Sequence, residues 1–318
     1  MSGAKPDPPK LPPLLMAPNY RPRRRFMRSW RIWAIAAVLV VAVTAGVIDV
    51  SLAAKHHKRT ASSSVAGASG AHKGRAEVNP LASRTMRSLL AHRTDRVAIA
   101  VENVWTKKFF WYHPGRREQT ASIVKVDILE TLLRQAMVAN KPLDEETAET
   151  AQGMIENSDN DDATDLWNQV GGSSGISAYN AQAGLKDTSP NTQGFWGETL
   201  TTAPDQIALL KQLVIKHGLL NRASQDYQLG LMSNVEADQR WGVSGGVPSS
   251  AQIALKNGWV PITGGDWQVN SIGRIRGDGR WYLLAVLTDG NPTEGYGIQT
   301  IESISALVWK ALTPLPRS

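Results

Sequence analysis

The spacing of hydrophobic residues changes along the chain, and each period predicts a different kind of element. Between residues 119 and 133, Val124, Ile128 and Leu132 recur at every fourth position, with Leu129 and Leu133 beside them. This spacing predicts a helix with one apolar side. Similar patterns make residues 120–235 almost wholly helical. The predicted helices are residues 83–92, 122–139, 145–156, 161–170, 175–183, 202–217, 221–234 and 297–312.

Runs with alternating or β-branched and aromatic residues predict five strands. They are residues 96–104, 107–113, 251–260, 267–276 and 280–288. Two residues separate the first pair, which permits a hairpin, and Gly277-Asp278-Gly279 predicts a turn between the last pair. Two strands, a helical block, three strands and a last helix predict an α/β fold of the α+β type. Its antiparallel five-stranded sheet is flanked by N- and C-terminal helices, with an inserted all-helical lobe and a cleft beside it.

A long uncharged run near the N-terminus predicts a membrane segment. Residues 32–48 carry no charge, Arg28 and Arg31 precede them, and Lys55 and Lys58 follow. The run lacks the polar face of a core helix and has the length of a short bilayer span. The arginines favour a cytoplasmic N-terminus and an external C-terminal domain. A signal peptide cut near Ala53 is the competing interpretation, and it also exports the domain.

Composition divides the chain into four predicted parts. These are a disordered basic tail (1–29), a transmembrane anchor or signal segment (30–54), a flexible Ser/Ala/Gly linker (55–79) and a folded, monomeric domain (80–318).

Charge and residue types exclude several classes of function. The net charge is +7, but residues 1–75 carry thirteen Lys and Arg against two Asp, or +11, which leaves 7 − 11 = −4 for the rest. The folded part is therefore not expected to bind nucleic acid. The chain has no cysteine, so disulfides and thiolate sites are absent. Its six histidines form no metal-binding spacing, and we expect neither a metal nor a cofactor.

Three short motifs carry candidate chemistry. In Ser122-Ile-Val-Lys125 a hydroxyl and an amine lie three residues apart, as neighbours on a helix. A serine becomes a nucleophile when a nearby amine of lowered pKa takes its proton. By itself Ser-x-x-Lys occurs by chance about once in a chain of this size. Ser158-Asp159-Asn160 could equally cap a helix, and Lys256 in Lys256-Asn257-Gly258-Trp259 could be a solvated edge-strand lysine.

Together, in this order and on these elements, the motifs resemble the penicillin-recognising serine hydrolases, which include DD-peptidases, and class A β-lactamases most of all. That family's signature is S-x-x-K, S-D-N and K-T-G. The resemblance covers about residues 80–314 and extends to Gly171-Gly172 and to Thr201-Thr202-Ala203-Pro204. It implies acyl transfer on a β-lactam or on a related amide or ester, such as a peptidoglycan-like peptide.

The resemblance also implies a role for each motif residue. Ser122 would be the acylated nucleophile and Lys125 its proton acceptor or relay. Ser158 would pass a proton to the leaving nitrogen, and Asn160 would hold the substrate amide. Lys256 would supply positive charge for a substrate carboxylate.

The Lys256 strand would complete the substrate site. Asn257, Gly258 and Trp259 would line it, and the backbone amides of Ser122 and Trp259 would form an oxyanion hole. Asn257 replaces the usual Thr or Ser, although its amide can still donate. We expect Asp159 to turn inward as a structural residue.

The segment that supplies the deacylation base in class A enzymes is missing. The E-x-x-L-N motif does not occur in residues 186–200, whose acids are Asp187 and Glu198. Glu198 is the candidate water base, and we expect Phe195 and Trp196 to serve loop packing. Without a base, deacylation would be slow.

Two other classes of function remain to be weighed. The G-x-S-x-G pattern of α/β-hydrolases occurs at 171–175 and 242–246, but the strand that must precede its serine is not predicted at either place. A catalytically degenerate binding or structural module of the cell envelope also fits, because the K-T-G motif is altered and the glutamate is absent.

Overall fold

The computed structural model describes residues 77–93, 96–262 and 264–314. The predicted tail, membrane segment and most of the linker lie outside these residues. No helix within the described ranges is both long and apolar enough to cross a membrane.

The described chain contains seven strands and eight α-helices. The strands are β1 (Arg96–Asn103), β2 (Phe109–Tyr112), β3 (Glu118–Gln119), β4 (Leu200–Thr201), β5 (Gln252–Pro261), β6 (Trp267–Gly277) and β7 (Arg280–Asn291). The helices are α1 (Arg84–Ala91), α2 (Val124–Val138), α3 (Glu145–Glu156), α4 (Asn160–Gln169), α5 (Gly172–Ala183), α6 (Ala203–Gln212), α7 (Arg222–Ser233) and α8 (Glu294–Ala311).

Five strands form an antiparallel sheet in the order β2-β1-β7-β6-β5. The first two strands of the chain therefore pair with the last three, as the sequence predicts, and α2 to α7 lie between them in sequence. Ile99 of β1 lies opposite Val286 of β7. The short strands β3 and β4 form a separate pair that the sequence pattern does not reveal.

The two faces of the sheet bury separate cores. Ala98 and Ala100 of β1 belong to the core shared with the helical lobe. Ile99 and Val101, which point the other way, pack with residues of α1 and α8. This division follows from the two-residue period of a strand, and it places the helical lobe against one face only.

Helix α2 is more deeply buried than its sequence pattern predicts. The pattern indicates one apolar side, yet every residue from 124 to 133 is buried. Helices α3, α4, α5 and α7 all contact α2, so no side of its first ten residues reaches solvent. Lys125, Asp127 and Glu130 are thereby carried into the interior.

Several predicted boundaries are wrong for identifiable reasons. Ser122 does not lie in the α-helix but in a 3₁₀ turn, Ala121–Ile123, that precedes it. Helix α6 ends at Gln212 rather than near residue 217, and the Gln225 amide donates to the carbonyls of Gln212 and Ile215 that the helix leaves free. Helix α5 begins before Gly175, whose position permits no side chain because a Cβ there would lie 1.8 Å from the Val170 carbonyl oxygen.

Candidate active site

The Ser122 turn is held against the sheet by polar side chains. Asn270 of β6 donates to the carbonyl oxygens of Gln119 and Thr120, at 2.8 and 3.1 Å. Ala121 has a φ of 46°, in the left-handed region that a residue with a Cβ seldom adopts. The Ser122 side chain remains partly exposed, and the described residues make no hydrogen bond to its hydroxyl.

Strand β5 touches this turn through the backbone of Gly258. A Cβ at that position would lie 2.6 Å from the Ser122 nitrogen and 2.8 Å from the Thr120 oxygen, closer than real Cβ atoms approach. Only glycine allows the strand this close. The contact brings Trp259, the next residue of β5, beside the Ser122 backbone.

Ser158 lies in the connection between α3 and α4 and faces both lysines. Its φ is 55°, a second left-handed residue at the site. Asp159 next to it is exposed and caps α4, accepting the Asp162 amide at 2.9 Å. The expectation that Asp159 turns inward is therefore wrong, because its carboxylate is used at the helix terminus.

Two buried lysines meet at the Ser158 hydroxyl. Lys125 Nζ lies 3.2 Å from Ser158 Oγ and donates to Ser158 O at 2.7 Å and to Asn160 Oδ1 at 2.8 Å. Lys256 Nζ lies 2.9 Å from the same Oγ. Neither amine is solvent-exposed. The three motifs that are remote in sequence thus converge on one hydroxyl.

Burial favours the neutral form of both amines, and for Lys125 the charge of Lys256 adds to it. Burial, followed by the positive charge of Lys256, holds the pKa of Lys125 well below its usual value, while Asp159 and Asp162 oppose the shift. Burial lowers the pKa of Lys256 to about 7. A neutral amine can accept a proton from a hydroxyl, so this arrangement can move a proton between the Lys125, Ser158 and Lys256 side chains.

The side chains of the two asparagines that are predicted to contact substrate differ in their exposure to solvent. Asn160 is exposed at the start of α4, and its carbonyl oxygen is held by Lys125. Asn257 is buried and donates both amide hydrogens away from Ser158, to Gln239 O at 2.8 Å and Trp241 O at 3.2 Å. A substrate contact by Asn257 stays a prediction, and in this arrangement it would require those bonds to break.

The segment before β4 covers one side of the Ser122 turn. Thr120 Oγ1 donates to Gly197 O at 3.2 Å, and the Trp196 ring lies over Lys125, with Nζ 4.9 Å from its centroid. Glu198, the candidate water base, is exposed and accepts a hydrogen bond from Asn191 at 3.1 Å. Trp196 was expected only to pack within its loop, and the sequence carries no signal for its contact with Lys125.

A buried acidic pair behind the site is another feature that the sequence does not reveal. Asp127 and Glu130 are fully buried on α2, and Tyr179 donates to Glu130 at 2.5 Å. Burial raises the pKa of Asp127 to about 7 and that of Glu130 well above its usual value. The helices packed around α2 make both carboxyl groups internal.

Within the described ranges, no three or more His, Asp or Glu side chains are grouped so as to hold a metal ion.

Solved structures of β-lactamases, including a representative of class A, share this fold. One from Bacteroides cellulosilyticus has a TM-score of 0.64 at 18% identity and covers 72% of this chain and 95% of its own. One from Chitinophaga pinensis has a TM-score of 0.65 at 18% identity and covers 72% and 98%. At these identities the likeness establishes the fold alone.

Sequence relatives are also found. A Mycobacterium tuberculosis protein named "Putative lipoprotein LppW" is 29% identical over 173 residues, 52% of this chain and 54% of that protein. The Mycobacterium bovis protein of the same name gives the same values. This chain thus spans about half the length of the curated relatives it matches.

A family model described as "Beta-lactamase enzyme family" matches residues 146–312. The match includes the Ser158 and Lys256 motifs and begins after Lys125. It spans more than half of the 318 residues, and the five-stranded antiparallel sheet agrees with it. The chain therefore belongs to the β-lactamase enzyme family.

Proposed function

We propose that the domain is a serine acyl-transferase of the penicillin-binding type, in which Ser122 attacks a β-lactam or a related amide or ester. The observation that supports this most directly is the convergence of Lys125 and Lys256 on Ser158 beside the Ser122 turn. Few structural roles would require two lysines to be buried against one hydroxyl, because burying charge is costly.

The proposed acylation step balances within these residues. The Ser122 oxygen bonds to the substrate carbonyl carbon, and the bond from that carbon to the leaving nitrogen breaks. Lys125 takes the hydroxyl proton, and Ser158 delivers a proton to the nitrogen and is reprotonated through the lysines. The Ser122 and Trp259 amides would stabilise the oxyanion.

Slow deacylation is part of the proposal. Hydrolysis of the acyl-enzyme needs a water activated by a base. Glu198 is exposed and directed to Asn191, whereas the Trp196 ring covers one side of Lys125. The acyl-enzyme would therefore accumulate rather than turn over quickly.

The second candidate function is a degenerate module that binds without reacting. The orientation of Asn257 favours it, because both amide hydrogens hold the 239–241 loop. In this case Ser122 would form no covalent bond, although the pocket could still hold an envelope peptide.

We also propose that the domain lies outside the membrane, attached through residues 30–54 or secreted after cleavage near Ala53. The uncharged run at residues 32–48 supports this. The name of the mycobacterial relatives, a lipoprotein, is consistent with an envelope location.

The proposal is tested by measuring the intact mass of the chain after exposure to a penicillin. We expect a mass increase equal to one penicillin that persists for minutes, and no increase for Ser122→Ala. Ser173→Ala is a matched control, since Ser173 lies in a G-x-S-x-G pattern on α5. This variant should gain the same penicillin mass as the wild type.

No adduct on the folded wild-type chain would favour the degenerate module. Rapid turnover of a chromogenic cephalosporin without accumulation would contradict the slow deacylation. An adduct that survives Ser122→Ala would rule out Ser122 as the nucleophile.

A further inference from the structure

A cavity opens on the helical-lobe face of the sheet, and four of the residues that line it are arginines. Its volume is about 630 Å³, and α7, β5, β6 and β7 contribute to its wall. Four arginines line it, Arg222, Arg240, Arg274 and Arg276, against one acid, Asp226. Arg222 pairs with Asp226 at 2.8 Å. Three guanidinium groups therefore remain without a carboxylate partner in the lining.

The sheet holds two of these arginines side by side. Arg274 and Arg276 alternate with the buried Ile275 on β6 and share the face that carries the helical lobe. Ala254 lies opposite Arg274 in the register, and its small side chain leaves room there. Arg276 lies over the ring of Trp281, 4.9 Å from its centroid, which fixes the guanidinium.

Two buried N–H groups in this lining lack an acceptor. Neither Arg274 Nε nor Trp281 Nε1 has a hydrogen-bond partner among the described residues, although both atoms are buried. A buried donor without an acceptor destabilises the fold, because it has lost its hydrogen bonds to water. Burial and the charges of Arg276 and Arg222 also lower the pKa of Arg274, with Asp226 opposing. A ligand with acceptor oxygens and negative charge would relieve both penalties.

The cavity is separate from the Ser122 site. Gln252 and Ile253, at the start of β5, line it, whereas Gly258 farther along the strand touches the Ser122 turn. Gly258 is six residues after Gln252, and a strand rises about 3.3 Å per residue. The two places are therefore about 20 Å apart along the same strand.

We propose that this arginine cavity binds a small multivalent oxyanion, a phosphate- or carboxylate-bearing ligand, at a site distinct from Ser122. The planar, always charged guanidinium groups match such oxygens in pairs. The uncompensated charge destabilises the empty domain, and bound anion stabilises it.

The test is thermal unfolding of the full chain in a non-ionic detergent, with pyrophosphate or citrate compared with sodium chloride at equal ionic strength. At about 100 times the Kd, we expect pyrophosphate or citrate to raise the Tm by on the order of 5 °C above chloride. The double variant Arg274→Gln/Arg276→Gln should show no such rise in Tm. In the absence of pyrophosphate and citrate, its Tm should be higher than that of the wild type. Arg84→Gln/Arg87→Gln, the same charge change on exposed residues of α1, should keep it.

The two probes separate the possible sources of the anion. A larger effect of pyrophosphate assigns a phosphate-bearing ligand, and a larger effect of citrate assigns a carboxylate-bearing one. No rise above chloride, or an equal rise in both double variants, would overturn the proposal. If the cavity double variant does not unfold cooperatively, Arg276→Gln alone is scored by the same criteria, because Arg276 is exposed.

Discussion

At the scale of single residues, the interior around α2 holds ionisable groups of both signs that do not form ion pairs with one another. Lys125 donates to Ser158 and Asn160, while Asp127 and Glu130 are buried elsewhere on the same helix. Burial shifts each group toward its neutral form. The pH dependence of the domain should therefore arise here rather than from its surface charges.

Asp127→Asn should remove part of that pH dependence. The pKa of Asp127 is raised from 3.8 to about 7, so between these values the folded state binds a proton that the unfolded state has lost. The free energy of unfolding therefore falls as pH rises through this window. Asparagine does not ionise, so Asp127→Asn should lack this pH-dependent loss. Between pH 4 and pH 8, its free energy of unfolding should rise relative to that of the wild type by up to about 4 kcal/mol. Urea unfolding at both pH values measures this.

Asp161→Asn is the matched control, because Asp161 is exposed at the start of α4. It should follow the wild type at both pH values. If the Asp127→Asn difference were the same at pH 4 and pH 8, the buried carboxyl would not be the source.

Trp196→Ala should shorten the lifetime of the proposed acyl-enzyme. The indole lies over Lys125, and its removal would admit water next to an amine able to act as a base. We expect an increase in the deacylation rate on the order of tenfold, less than the 10²–10⁴ of a positioned base. The decay of the penicillin adduct measured by intact mass tests this.

Phe195→Ala serves as the control for that change, because Phe195 is 58% exposed and precedes the tryptophan. Its adduct should decay like that of the wild type. A longer lifetime in Trp196→Ala would mean that the indole promotes deacylation.

The sequence identified the residues that meet at Ser158 but not their surroundings. Short sequence motifs point to each of the four candidate residues, Ser122, Lys125, Ser158 and Lys256. No motif points to the contact of Trp196 with Lys125, because it joins two segments with no pattern in common. The roles of these residues in a reaction stay predictions.

At the scale of elements, strand β5 runs from the arginine cavity to the candidate active site. Lys256 donates to Ser158, and Gly258 touches the Ser122 turn. The first residues of β5 line the arginine cavity. The exact position of β5 along its axis should therefore affect both.

Gly258→Ala should displace β5 from the Ser122 turn. The added Cβ would lie 2.6 Å from the Ser122 nitrogen, so either the strand or the turn must move. We expect a loss of about 1–3 kcal/mol in the free energy of unfolding. Acylation by penicillin should slow by a larger factor than the loss of folded protein explains. The acylation rate of the folded variant, measured from quenched time points by intact mass, tests this.

Gly115→Ala is the control, since a Cβ there meets nothing within 4 Å. Its stability and acylation rate should stay close to those of the wild type. Normal acylation in a folded Gly258→Ala chain would show that the close approach is unnecessary.

The hydrophobic period predicts whether a segment is a helix or a strand, but it does not predict several of the residues at which helices and strands end. The period predicted β1 and β5 to within a residue or two. The Gln212 carbonyl at the end of α6 accepts from the Gln225 side chain, thirteen positions later, and β2 ends where His113 adopts a φ of 48°. Such contacts and turns are set by tertiary packing, which a local pattern cannot reveal.

At the scale of the whole molecule, the sequence predicts that the basic tail and the acidic domain lie on opposite sides of a membrane. Residues 1–75 carry a net +11 and residues 76–318 a net −4. A protease added outside intact cells should release the domain by cutting in residues 55–79 and spare the N-terminal tail. Immunodetection with tags at both ends measures this, and protection of the domain would contradict the proposed orientation.

The antiparallel sheet also makes the Ser122 site a product of late folding events. Asn270 and Thr120, which hold the turn, are 150 positions apart in the chain, and contacts between such distant positions close slowly. During refolding, helical content should return before these contacts form. Recovery of the proposed acylation would then mark the final docking of the C-terminal strands, and the rate of adduct formation at Ser122 would report when the fold is complete.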